Sequence, residues 1–174
     1  MPRKPREESE GAVHHVYARG NAQQPIYLDD VDRLTYLGLL GRVIGLTGWC
    51  CLAYCLMDNH VHLLVETPRP NLGVGMQDLH GRYGRRFNDR HDRSGHLFQG
   101  RFGAKRVTRD VQLWATVRYI AMNPVNAGLC HRPDQWRWGS AGASPPWLGS
   151  QRLLEYLGAE GGDPIALYAE LVSN

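Results

Sequence analysis

The chain has 174 residues, 43% hydrophobic and 21% charged, which suits one compact domain with a real core and is short for two. No apolar run approaches a membrane-spanning length, and the charged opening "MPRKPREESEGA" lacks a signal-peptide core, so 1–12 reads as a flexible arm on a cytoplasmic protein. The net charge of +3 is uneven: from His80 to Arg109 nine Lys or Arg face only Asp89 and Asp92, a local +7 that leaves −4 elsewhere and points to a polyanionic partner such as nucleic acid.

"VHHVYARG" (Val13–Gly20) reads as a strand that runs into turn-prone residues. "DDVDRLTYLGLLGRVIGLTG" (Asp29–Gly48) has an acidic cap, with Val31, Leu34, Leu37, Leu40, Val43 and Ile44 at helical spacing as its core stripe. "WCCLAYCLM" and "HVHLLVET" flank Asp58-Asn59 and predict an antiparallel hairpin. "NLGVGMQDLHGRYGRRFNDR" (Asn71–Arg90) reads as a glycine-weakened helix, and "HLFQGRFGAKRV" (His96–Val107) as a further strand. "DVQLWATVRYIAMNP" (Asp110–Pro124) has an Asp cap and a proline stop, making it the best-defined helix. A loop follows, then short helices over Gln151–Leu157 and Pro164–Val172. The order β-α-β-β-α-β-α predicts an α+β sandwich on an antiparallel sheet of four to five strands, ferredoxin-like in arrangement. The domain so defined spans 13–140, with 141–174 as a helical tail.

Strand alternation puts His60, His62, Leu64 and Glu66 on one face and Val61, Leu63 and Val65 on the other. The all-Val/Leu set is the natural core side, which leaves the histidines on an open face. Two imidazoles two residues apart can address one cation, although an HxH alone is a weak signal and two packed histidines are the commoner case. Tyr119 and Asn123, four apart, share a helical stripe. Asn123 precedes Pro124, where the helix is expected to fray and free its amide. Judged alone, Tyr119 is a core aromatic. Tyr83, Phe87 and Phe98 interleave with the arginines, as base-stacking platforms or as core contacts. Together these residues fit cation-assisted attack of a tyrosine hydroxyl on a phosphodiester.

"MDNHVHLLVE" resembles the His-hydrophobe-His (HUH) signature, and "RYIAMNPVNAGL" resembles the nucleophile helix of single-tyrosine HUH transposases. "RSGHLFQGRFGAKRV" and "WRWGS" are similar to segments of REP-associated tyrosine transposases, so the resemblance runs from about His14 to Ser140. It implies cleavage and rejoining of hairpin-containing single-stranded DNA through a 5′-phosphotyrosine with a free 3′-OH. It further implies a bacterial protein using Mg2+ or Mn2+, with Tyr119 as nucleophile and His60, His62 and Asn123 as metal ligands. The DNA contacts expected are Arg82, Arg85, Arg86, Gln99, Arg101, Lys105 and Arg106. The segment from Trp147 onwards resembles the monomeric REP-associated type more than relatives that exchange the tyrosine helix in a dimer. Two other readings compete: a non-catalytic nucleic-acid-binding module on the same sheet, and a hydrolase whose zinc is completed by Cys50, Cys51 or Cys55. Alternation puts Cys51 and Cys55 on one face and Cys50 on the other; the four cysteines, Cys130 included, form no CxxC pair and read as reduced thiols.

Overall fold

A computed structural model describes residues 8–158 and 164–173; residues 1–7, most of the expected arm, lie outside the described residues. The elements in chain order are β1 (Ala12–Arg19), α1 (Asp30–Thr47), β2 (Cys50–Leu56), β3 (His60–Thr67), α2 (Leu72–Arg90), β4 (Gly103–Val107), α3 (Asp110–Asn126), α4 (Ser150–Gly158) and α5 (Pro164–Ser173). The strands form one antiparallel sheet in the order β2-β3-β1-β4, the α+β ferredoxin-like arrangement the pattern predicts. No helix among the described residues is long and apolar enough to cross a membrane.

Two cores flank the sheet. On one face Val16, Ala18, Val61, Leu63 and Val65 meet α1 and α2 through Leu40, Val43, Met76, Leu79 and Tyr83. On the other, Val13, Leu64 and Cys55 meet α3 and α4 through Leu113, Val117, Ile120 and Leu153. The histidine face is therefore covered rather than open, because α3 lies across it and His62 is only 7% exposed. Tyr83 and Phe87 are buried in the first core, which settles them as packing residues.

Four local expectations change for identifiable reasons. The core stripe of α1 is rotated: Val31 and Leu34 are more than half exposed, while Asp32, Tyr36, Leu39, Leu40, Val43 and Ile44 point inward. The last strand shrinks to Gly103–Val107, because Leu97 and Phe98 turn into the first core and pair with the sheet only at the Gly20–Phe98 bridge. Pro124 lies inside α3, which continues to Asn126; a proline this close to a helix end forfeits one hydrogen bond without ending the turn. A β-bulge between Cys51 and Ala53 reverses the alternation of β2. Cys51 faces the first core while Cys50 and Cys55 face the second, so the cysteine pair expected on one face is split.

One glycine of α2, Gly75, serves packing. A Cβ on Gly75 would stand 2.2 Å from the Trp49 ring, so the indole fits only against bare backbone. Trp49 Nε1 then donates to Asn71 Oδ1 at 2.7 Å and ties β2 to the start of α2.

His80, further along α2, stacks on Phe98 at 4.1 Å and lies 3.2 Å from the Tyr36 hydroxyl. Burial lowers its pKa from 6.5 to about 3. Because the folded value is below the unfolded one, the unfolded chain takes up the proton first as the pH falls. Stability is thus lost below about pH 6.5, by up to about 2 kcal/mol at pH 5 from this one group. Urea midpoints at pH 7 and pH 5 should show that fall in the wild type and a smaller one in His80→Gln.

Candidate active site

The site forms where β1, β3 and α3 meet on the second face. In β1 the residues alternating towards α3 are Val13, His15, Tyr17 and Arg19, and antiparallel pairing sets Tyr17 opposite His62 and Arg19 opposite His60. In β4, Lys105 pairs with His15. His15, Tyr17, Arg19, His60, His62 and Lys105, with Gln99, Thr116 and Tyr119, line a cavity of about 810 Å³. Tyr17 needs a glycine across from it: a Cβ on Gly103 would lie 2.2 Å from the Tyr17 ring.

The residues marked by the sequence converge here. The His60 and His62 rings are 5.1 Å apart, and Tyr119 stands edge-on to His62 at 5.3 Å. Tyr119 is 49% exposed, so it is not a core aromatic; α3 gives Leu113, Val117 and Ile120 to the core and turns Tyr119 to the cavity. Asn123 lies one turn on, within the helix, and its Nδ2 donates to the Tyr119 carbonyl at 2.9 Å. Its side chain also neighbours His60.

The electrostatics keep the imidazoles neutral. His62 is lowered to about 3, first by burial and then by the nearby His60, His15 and Arg19. His60 is lowered by burial, opposed by the neighbouring Asn123 amide. His15 is lowered by burial and by the Lys105 cation. Neutral imidazoles retain a lone pair for a cation at neutral pH.

The donor set fits a divalent cation in part. The Asn59 amide is oriented by donating from Nδ2 to the Gln23 carbonyl at 3.1 Å. Its Oδ1, a pure acceptor, lies 2.7 Å from His60 Nδ1, so the ring donates there and Nε2 keeps its lone pair. Among the described residues no three His, Cys, Asp or Glu side chains group as ligands. A cation would take two imidazoles and complete its shell with amide and phosphate oxygens, a mixed nitrogen and oxygen set.

The expected DNA contacts divide. Lys105 and Gln99 line the histidine cavity. Gln99 also borders a larger groove of about 1090 Å³ between α2 and residues 95–102, which Arg85 and Arg101 line. That groove holds neither His60 nor Tyr119, which line the smaller cavity. Arg82 is ion-paired with Asp78 at 2.7 Å, and Arg86 is exposed on α2 and lines neither cavity. Arg106 alternates away from Lys105 and donates to Ser9 Oγ at 3.0 Å.

Sequence reasoning passed over His15, Tyr17 and Arg19. The signal was the i, i+2, i+4 spacing of polar side chains in "HVYAR", legible as a second functional strand face once β1 is placed beside β3.

An antiparallel sheet with paired histidines on its central strands and a tyrosine helix laid over them is an arrangement suited to transfer of a phosphoryl-linked strand. The IS200-like transposase family model matches residues 10–123, and the chain belongs to that family. Among solved structures, a REP-associated tyrosine transposase bound to a REP hairpin shares the fold, with a TM-score of 0.67 at 16% identity over 83% of this chain and 89% of that one. A putative transposase from Deinococcus radiodurans aligns with a TM-score of 0.48 at 19% identity, over 68% of this chain and 95% of that one. No curated protein matches the sequence.

Proposed function

We propose that this transposase, of the REP-associated kind, cleaves and rejoins hairpin-containing single-stranded DNA with Tyr119 as its nucleophile. The observation that carries the reading is the convergence of His60, His62 and Tyr119 within one cavity, from a strand and a helix almost sixty residues apart. The Tyr119 oxygen attacks phosphorus, its bond to phosphorus forms, and the bond to the departing 3′-oxygen breaks. The products are a 5′-phosphotyrosine and a free 3′-OH: the half-exposed phenol gives its proton to solvent and the departing 3′-oxygen takes one from solvent. Attack by a 3′-OH reverses the step and rejoins the strand. His60, His62 and the Asn123 amide would hold Mg2+ or Mn2+, which when bound polarises the phosphate and favours the phenolate. Arg19 and Lys105 place positive charge at the cavity walls, where they attract the phosphate backbone. The unpaired strand continues past Gln99 into the groove lined by Arg85 and Arg101, and the chain acts as a monomer.

Incubation with a single-stranded hairpin oligonucleotide and Mn2+ should give a protein–DNA adduct that survives denaturing electrophoresis. EDTA should abolish it. DNA binding with no adduct under any divalent ion would instead support the non-catalytic module.

A further inference from the structure

We propose that His15 is a positioning residue that sets the tautomer and aim of His62. His15 Nε2 and His62 Nδ1 are 3.0 Å apart, a hydrogen bond between strands β1 and β3. Two neutral imidazoles so joined share one proton, and its location decides which His62 nitrogen faces the cavity with a lone pair. The other histidine of the pair sets the precedent: Asn59 Oδ1, a pure acceptor, holds the proton of His60 on Nδ1 and leaves Nε2 free. Among the described residues no amide or carboxylate bonds His62 Nδ1, and His15 Nε2 occupies that place.

His62 Nδ1–H therefore donates to His15 Nε2, and both histidines of the pair present Nε2 to the same cavity. The His15 ring is fixed for this task by its neighbours, lying 5.7 Å from Tyr17 and edge-on to Tyr119 at 5.8 Å. It thus touches the nucleophile's ring as well as the histidine it orients. Acceptors behind metal-ligating imidazoles fix ring orientation, and their loss typically weakens metal binding by about 10- to 100-fold.

The importance of that orientation rests on the reaction proposed above, whereas the tautomer does not, so the two are tested separately. Long-range 1H–15N spectra of the metal-free wild type at pH 7.5 should show His62 protonated on Nδ1. A wild-type His62 protonated on Nε2 overturns the proposal without any variant. In His15→Phe the proton should move predominantly to Nε2, and Mn2+ affinity by titration should fall about 10- to 100-fold. His15→Gln, which restores an acceptor at the same reach, should recover the Nδ1–H form and most of the affinity. An unchanged tautomer and affinity in His15→Phe would sink the assignment. Failure of the wild type to form a DNA adduct would count against the reaction, with the tautomer result standing.

Discussion

Tyr119→Phe should abolish the covalent protein–DNA adduct while leaving the fold, the DNA affinity and the metal affinity in place. The expectation follows from what the ring does in the folded chain. Its edge contacts with His62 and His15, at 5.3 and 5.8 Å, belong to the ring and persist in phenylalanine. The ring is half exposed, and the helix is anchored by Leu113, Val117 and Ile120. Removing one hydroxyl from such a position should change stability by less than about 0.5 kcal/mol. The adduct should be lost by contrast, because the hydroxyl removed is the group that bonds to phosphorus in the proposed reaction. The measurement is the adduct band on a denaturing gel, with fluorescence anisotropy for DNA binding alongside. A variant that still cleaves the strand but forms no adduct would mean that water, not tyrosine, attacks, and would revive the hydrolase reading.

The order of elements was legible because it depends on local periodicity. β3 and α3 announce themselves through alternation and helical spacing, and their registers place His60, His62 and Tyr119 without tertiary information. Which faces of the sheet would be covered was not legible, since His60, His62 and Glu66 mark one face of β3 as open and only the packing of α3 shows that Leu64 on that face has a core of its own. The cysteines of β2 misled because a β-bulge reverses alternation without any residue signal at Cys51–Ala53. His15 was invisible as a site residue because its partner is forty-seven positions away on a neighbouring strand. The arginines were read as one basic patch, yet Arg82 is balanced by Asp78 and Arg90 by Asp29 and Asp32. Net charge along a segment counts residues, whereas the free positive surface depends on which of them are already paired.

The same blind spot hid Asp32, and the largest stability effect is expected there. As a charged residue in the first turn of α1 it fits an exposed helix start, but it is 2% exposed. Its carboxylate accepts from the Leu28 amide at 2.8 Å, from Arg90 Nη1 at 2.7 Å and from His91 Nε2 at 2.9 Å. Arg90 also grips Asp29, the cap of α1, at 2.6 Å, so the start of α1 and the end of α2 close on one acidic knot. Asp32→Ala removes the acceptor and leaves a buried amide and two cationic or polar donors facing it. Breaking one side of a buried ion pair costs about 3–5 kcal/mol, and the 38% exposure of the Arg90 side chain lets water recover part of this, so about 2–3 kcal/mol is expected. For a chain of this size that lowers Tm by roughly 5–10 °C. Asp32→Asn keeps an oxygen for the Leu28 amide and should lose about half as much, the remainder being charge. Arg90→Ala should cost less than Asp32→Ala, and the double variant should fall short of the sum by about 1 kcal/mol, because the two share one interaction. The knot lies on the α1/α2 side of the sheet, away from His60 and Tyr119, so adduct formation well below the lowered Tm should match the wild type. Equal stability of Asp32→Ala and wild type in urea would mean that the carboxylate's desolvation offsets all of its bonds.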